Sequence, residues 1–123
     1  MPQRIVLIVD DNQDLAQALG DHLTAKGYQI VFALDGAAAS MQAQRHKPDL
    51  IILDYHMPAA SGTTVYERLQ RSANTFSIPI IFISAGGIDR VKESVPQSHR
   101  VRFMEKPVDI PKLIQYANEL APN

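Results

Sequence analysis

A chain of 123 residues, 46% hydrophobic and 20% charged, is sized and composed for one globular domain rather than a disordered segment. A net charge of −1 gives no basis for attracting nucleic acid or an anionic membrane, and the lack of cysteine rules out disulfides and thiolate metal sites. The first apolar run is too short for a signal-peptide core, and no stretch approaches the ~20 apolar residues of a membrane span; a cytoplasmic protein without membrane contact is expected.

Ile5-Val6-Leu7-Ile8-Val9 is apolar throughout and rich in β-branched residues, which predicts a strand covered on both faces, and it runs into Asp10 and Asp11. Asn12 suits a helix N-cap, and Leu15, Leu19 and Leu23 recur along one helical stripe with Ala16 and Ala18 beside them. Lys26 and Gly27 stop that helix. Residues 28–33 are a second strand, Asp35-Gly36 a turn, and 37–46 a helix whose stripe of Ala39, Met41 and Ala43 is thin. Leu50-Ile51-Ile52-Leu53 predicts a buried third strand that stops on a carboxylate, Asp54, with Pro58 closing off further ladder pairing. Ala59, Ala60, Ser61 and Gly62 read as a loop, and residues 63–72 as a helix turning Val65 and Leu69 inward. A fourth strand over 78–83, with Pro79 near its start, ends on Ser84. Ile88, Val91 and Val95 mark a short helix that Pro96 ends; residues 101–104 are a fifth strand arriving at Lys106-Pro107. Asp109 caps a last helix with Leu113, Ala117 and Leu120 facing in.

Strands alternating with helices predict an α/β domain over residues 1–123, a doubly wound parallel sheet with helices on both faces. Parallel strand exits lie on one edge, so Asp10, Asp11, Asp54, Ser84 and Lys106 converge there. Singly, each has a plainer role: the acid doublet as a helix cap, Ser84 as a turn former, Lys106 as a solvated charge. Jointly they form a chemistry. Three acids repel unless a hard divalent cation such as Mg²⁺ lies between them. A lysine and a serine hydroxyl are groups that hold phosphoryl oxygens. No GxxxxGK[ST] loop supports nucleotide binding.

Asp10-Asp11-Asn12 after a strand, Asp54 followed by Met57-Pro58 and Gly62, Ser84-Ala85, and Lys106-Pro107 with Phe103 before them form a set. By it, the chain resembles the receiver domain of two-component response regulators over its whole length. The resemblance implies a flavodoxin-like five-stranded sheet in order 2-1-3-4-5. It implies a phosphorylation-dependent switch, not an enzyme, in which Asp54 accepts a phosphoryl group from a sensor histidine kinase or histidine phosphotransfer protein to give 4-aspartylphosphate. By the same resemblance, Asp11, Asp54 and the backbone carbonyl of His56 hold Mg²⁺, with Asp10 acting directly or through water. Ser84, Ala85 and Lys106 bind the phosphoryl oxygens, and Ser84 and Phe103 relay the change. The output is then an unknown protein or domain met by the fourth helix, fifth strand and last helix, without direct nucleic-acid binding. No DNA-binding segment follows the last helix in these residues, so either a docking protein or one domain of a longer regulator or hybrid kinase is expected.

Phe103 lacks the hydroxyl of the tyrosine common in relatives, and Ser98-His99-Arg100 replaces a Gly-Ala pair, which bears on the shape of the fourth helix. Arg90, Lys92, Arg100 and Arg102 make either a basic output patch or a solvated face. His56, two residues past the acceptor, is expected to point at the phosphoryl group and give its lifetime a pH dependence near neutrality; the alternative is a solvent-facing ring. Two other functions compete. A constitutive docking module has little need of the acid–serine–lysine set, and a small-phosphoester hydrolase would want an acid where His56 stands.

Overall fold

Each apolar run becomes a five-residue strand: β1 (Ile5–Val9), β2 (Gln29–Ala33), β3 (Leu50–Asp54), β4 (Ile80–Ser84) and β5 (Val101–Glu105). Between and after them run α1 (Gln13–Thr24), α2 (Gly36–His46), α3 (Gly62–Gln70), α4 (Ile88–Ser94) and α5 (Ile110–Leu120). The computed structural model describes residues 3–57 and 62–123. Of the loop expected at Ala59, Ala60, Ser61 and Gly62, the first three residues lie outside the described residues, as does Pro58.

All strand pairs are parallel, in the order β2-β1-β3-β4-β5 that the resemblance implies. Period-two alternation divides each strand between two cores. Leu7, Val9, Ile51, Leu53, Ile80 and Phe82 face α2, α3 and α4, where they meet Ala39, Ala43, Val65, Leu69 and Val91. Val6, Ile8, Leu50, Ile52, Ile81 and Ile83 face α1 and α5, meeting Leu19, Leu23, Leu113 and Ala117. β3 and β4 are buried along their whole length, as strands covered on both faces must be. Among the described residues no helix is long and apolar enough to cross a membrane.

Local chemistry sets the helix ends. Asn12, Asp35 and Asp109 each accept from a backbone N–H three residues on, taking up one of the four donors a helix start leaves free. Asp35 is therefore a cap and Gly36 the first helical residue, not the two halves of a turn. Gly20 lets α1 sit close on β2, since a Cβ there would come within 2.9 Å of the Phe32 ring.

The structure corrects several details. Ala18 is exposed, because the buried face of α1 runs through Ala16, Leu19, Gly20 and Leu23 and leaves it on the outer side. Met41 is 61% exposed. Two residues along a helix is about 200°, so a face built on Ala39 and Ala43 turns Met41 outward. β4 begins at Ile80 rather than including Pro79, whose carbonyl alone joins the ladder by accepting from the Ile51 N–H at 3.0 Å. Gly62 opens α3 instead of ending the loop before it.

Candidate functional site

The sheet order reverses at β1, which has β2 on one side and β3 on the other, so a crevice opens beyond the carboxyl ends of β1 and β3. Asp10, Asp11 and Asp54 stand there. Each offers a carboxylate oxygen within 4.8 Å of the others, Asp10 and Asp54 buried and Asp11 exposed. The backbone holds them in place: the Asp10 N–H donates to the Ala33 carbonyl at 3.1 Å, and Asp10 Oδ1 accepts from the Asn12 N–H at 2.9 Å. Asp54 closes β3, and its Oδ1 accepts from the His56 N–H at 3.0 Å.

Lys106 arrives from β5. Its N–H donates to the Ser84 carbonyl at 2.8 Å, tying the exits of β4 and β5 together. Its Nζ lies 3.3 Å from Asp10 Oδ2 and 3.5 Å from Asp54 Oδ2. One ammonium thus serves two buried carboxylates. Three carboxylates this close, with one cation against two of them, fit a hard divalent ion that prefers oxygen donors.

Burial first, and the Asp10 charge second among the raising influences, push the Asp54 carboxyl above the usual aspartate range. The His56 N–H and Lys106 pull against them and do not cancel the rise. A carboxyl raised in the folded state holds its proton longer there than in the unfolded chain. Its ionisation therefore lowers stability as pH rises from the unfolded to the folded value, and the loss persists above that. Asp54→Asn is accordingly expected to raise the melting temperature of metal-free protein near neutral pH. The gain shrinks in acid, and melts in chelator at about pH 7 and about pH 4 check both the gain and its direction.

Ser84 is fully buried at the end of β4. Its hydroxyl donates to the Gly86 carbonyl and accepts from the Gly86 N–H at 3.2 Å. His56 Nε2 lies 2.9 Å from Ser84 Oγ and 3.2 Å from the Gly86 carbonyl oxygen. His56 is an exposed residue overall, yet its ring neither projects freely into solvent nor stands alone. Ala85, next in the chain, is exposed. The Gly86 carbonyl is the participant that reading residue types misses, because a backbone oxygen leaves no mark in composition or spacing.

Phe103 lies further from the acids, half-buried on β5, stacked on Phe82 with ring centroids 5.7 Å apart and planes at 15°. Lys92 Nζ sits 5.9 Å from the Phe103 ring centre. Of the four basic residues noted in the sequence, Arg102 is engaged within the fold: it pairs with Glu119 at 3.6 Å, donates to the His99 and Val101 carbonyls, and lies over Tyr116. Together with Lys92, that leaves less of a free basic patch than the sequence suggests.

Known proteins resemble this chain in sequence and fold. The profile of the response regulator receiver domain family matches residues 6–118. The chain is 30% identical over 110 residues to the polar-differentiation response regulator DivK of Brucella anthropi, covering 89% of each. It is 37% identical over 106 residues to the response regulator PleD of Caulobacter vibrioides, covering 85% of this chain and 23% of PleD. A response regulator receiver protein from Pseudomonas putida superimposes with a TM-score of 0.88 at 28% identity, covering 97% of this chain and 98% of that one. The chemotaxis response regulator CheY4 of Vibrio cholerae, at 24% identity and a TM-score of 0.87, has the same fold.

Proposed function

The chain belongs to the response regulator receiver domain family of two-component signalling, and from that premise we propose that Asp54 is the phosphoryl acceptor of a signalling switch spanning residues 1–123. Receiver domains are switches rather than enzymes in the ordinary sense. The observation that carries the reading is the buried Asp54 carboxylate, within 4.8 Å of Asp10 and Asp11 and reached by Lys106.

In the proposed step an Asp54 carboxylate oxygen attacks the phosphorus of a phosphohistidine on a sensor kinase or phosphotransfer protein. The new bond is O–P; the broken bond is N–P, whose electrons return to the donor imidazole. The protein's part is mostly placement and charge. The His56 N–H holds one Asp54 oxygen, leaving the carboxylate in one orientation. Lys106 supplies a positive charge on the other side of it and can follow the incoming oxygens. Asp10, Asp11, Asp54 and the His56 carbonyl would hold Mg²⁺, whose contribution when bound is to offset phosphoryl-oxygen charge. Ser84 and the Ala85 N–H are the proposed partners of the phosphoryl oxygens once the bond has formed.

The output follows from Ser84 and Phe103. Movement of the Ser84 hydroxyl toward the phosphoryl group alters the β4 exit, and Phe103, stacked on Phe82 of that strand, alters its packing in turn. This is a shift between two packings of one fold, presented to a partner on the α4–β5–α5 face. Incubation with Mg²⁺ and acetyl phosphate is expected to add one phosphate to the wild-type chain by intact mass and none to Asp54→Asn. No adduct on wild type would instead favour a constitutive docking module.

A further inference from the structure

We propose that His56 is a positioning residue that holds the Ser84 hydroxyl on the Gly86 carbonyl in the unmodified protein, and so opposes its turn toward a phosphoryl group on Asp54. The proposal rests on the phosphoacceptor reading above and adds to it a side chain whose role is to bias the switch. A carbonyl oxygen only accepts, so His56 Nε2, 3.2 Å from the Gly86 oxygen, faces it as N–H. The Ser84 hydroxyl gives its one proton to that same carbonyl, so its oxygen accepts from Nε2 at 2.9 Å. The three groups close a triangle that uses the only Ser84 proton and one of its lone pairs, while the Gly86 N–H takes the other at 3.2 Å.

Ser84 has no exposed surface, so water does not replace a bond that its hydroxyl gives up. Turning that hydroxyl toward Asp54 therefore sacrifices the Gly86 and His56 bonds together. Without the imidazole donor, one of the two restraints is gone. His56 is itself exposed, so replacing its ring opens no cavity in either core. Its effect on the site runs through Ser84 Oγ.

The test uses beryllofluoride with Mg²⁺ as the phosphoryl mimic and follows the Ser84 and Gly86 amide resonances. His56→Phe, which keeps a ring and removes the donor, is expected to bind the mimic about three- to tenfold more tightly than wild type, the scale of one net hydrogen bond. His56→Gln, which returns an N–H donor, brings affinity back toward wild type. In a Ser84→Ala background, adding His56→Phe makes no further difference to affinity. Equal or weaker binding by His56→Phe overturns the proposal, as does a His56 effect that survives in Ser84→Ala. A wild-type chain that takes up no beryllofluoride sinks the phosphoacceptor reading itself, and this inference with it.

Discussion

Lys106→Met is expected to slow phosphate-adduct formation from acetyl phosphate about a hundredfold or more, and to destabilise the fold as well. The first effect follows from the geometry of one ammonium 3.3 Å from Asp10 and 3.5 Å from Asp54. Loss of one preorganised charged donor from a partly water-excluded site lowers rates by roughly 10²–10³. Methionine keeps most of the stem's bulk, so the loss falls on the charge. The second effect arises because both carboxylates are buried, at 2% and 3% exposure, and lose their nearby cation. Breaking a fully buried pair costs about 3–5 kcal/mol. The Lys106 side chain is 23% exposed, and solvent screening reduces the expected loss to about 1–3 kcal/mol. Its pH dependence has a definite sign. Lys106 lowers the Asp54 pKa, so without it the carboxyl rises further and ionised Asp54 is costlier. The stability gap between wild type and variant is widest where Asp54 is ionised in wild type, and closes as pH falls through its protonation. Urea titrations across that range, with chelator present, measure it; a gap that widens in acid contradicts the assignment.

Phe82→Ala is expected to cost about 3–5 kcal/mol, a large part of the ~5–15 kcal/mol that holds a domain folded. Phe82 is fully buried at the middle of β4 and meets three rings: Phe103 at 5.7 Å, Tyr66 at 5.8 Å and Tyr55 at 6.4 Å. Truncation leaves a void that β4, paired on both sides, has little freedom to close. Phe82, two residues before Ser84, is also the platform under Phe103, and truncation removes it. Phe76, 48% exposed, is the control, and Phe76→Ala is expected to change stability by no more than ~0.5 kcal/mol. Denaturant midpoints at constant slope separate the two; a loss below ~1 kcal/mol for Phe82→Ala would show that the aromatic stack is not a support of the fold.

Much of the architecture is legible because its signals are strong. Ile5–Val9 and Leu50-Ile51-Ile52-Leu53 are apolar runs too short for helices and too uniform for half-exposed strands, and they lie in inner strands of the sheet. The strand order itself comes with the family resemblance; alternation alone leaves several windings open. Helix faces are harder to read where alanine carries them. In α2, Ala39 and Ala43 define the buried side, and small residues mark a face so weakly that Met41 reads as part of it.

The site divides the same way. Asp10, Asp11, Asp54 and Lys106 are visible in the sequence because each ends a strand, and parallel strands bring their ends together. The partner of the His56 ring is not. Position along the chain puts the imidazole near the acceptor, but its direction depends on the Gly86 carbonyl, which follows from the turn after β4. The ring that sequence reading aims at the phosphoryl group is turned onto Ser84.

The most direct test of the central claim is to locate the phosphoryl group. Wild-type protein incubated with acetyl phosphate and Mg²⁺ is reduced with borohydride, which converts an aspartyl phosphate to homoserine, and the peptides are sequenced by mass spectrometry. The expected result is homoserine at position 54 and nowhere else, dependent on Mg²⁺. Homoserine at position 10 or 11, or a phosphate that resists reduction because it sits on a hydroxyl or imidazole, would contradict the assignment of Asp54 as acceptor.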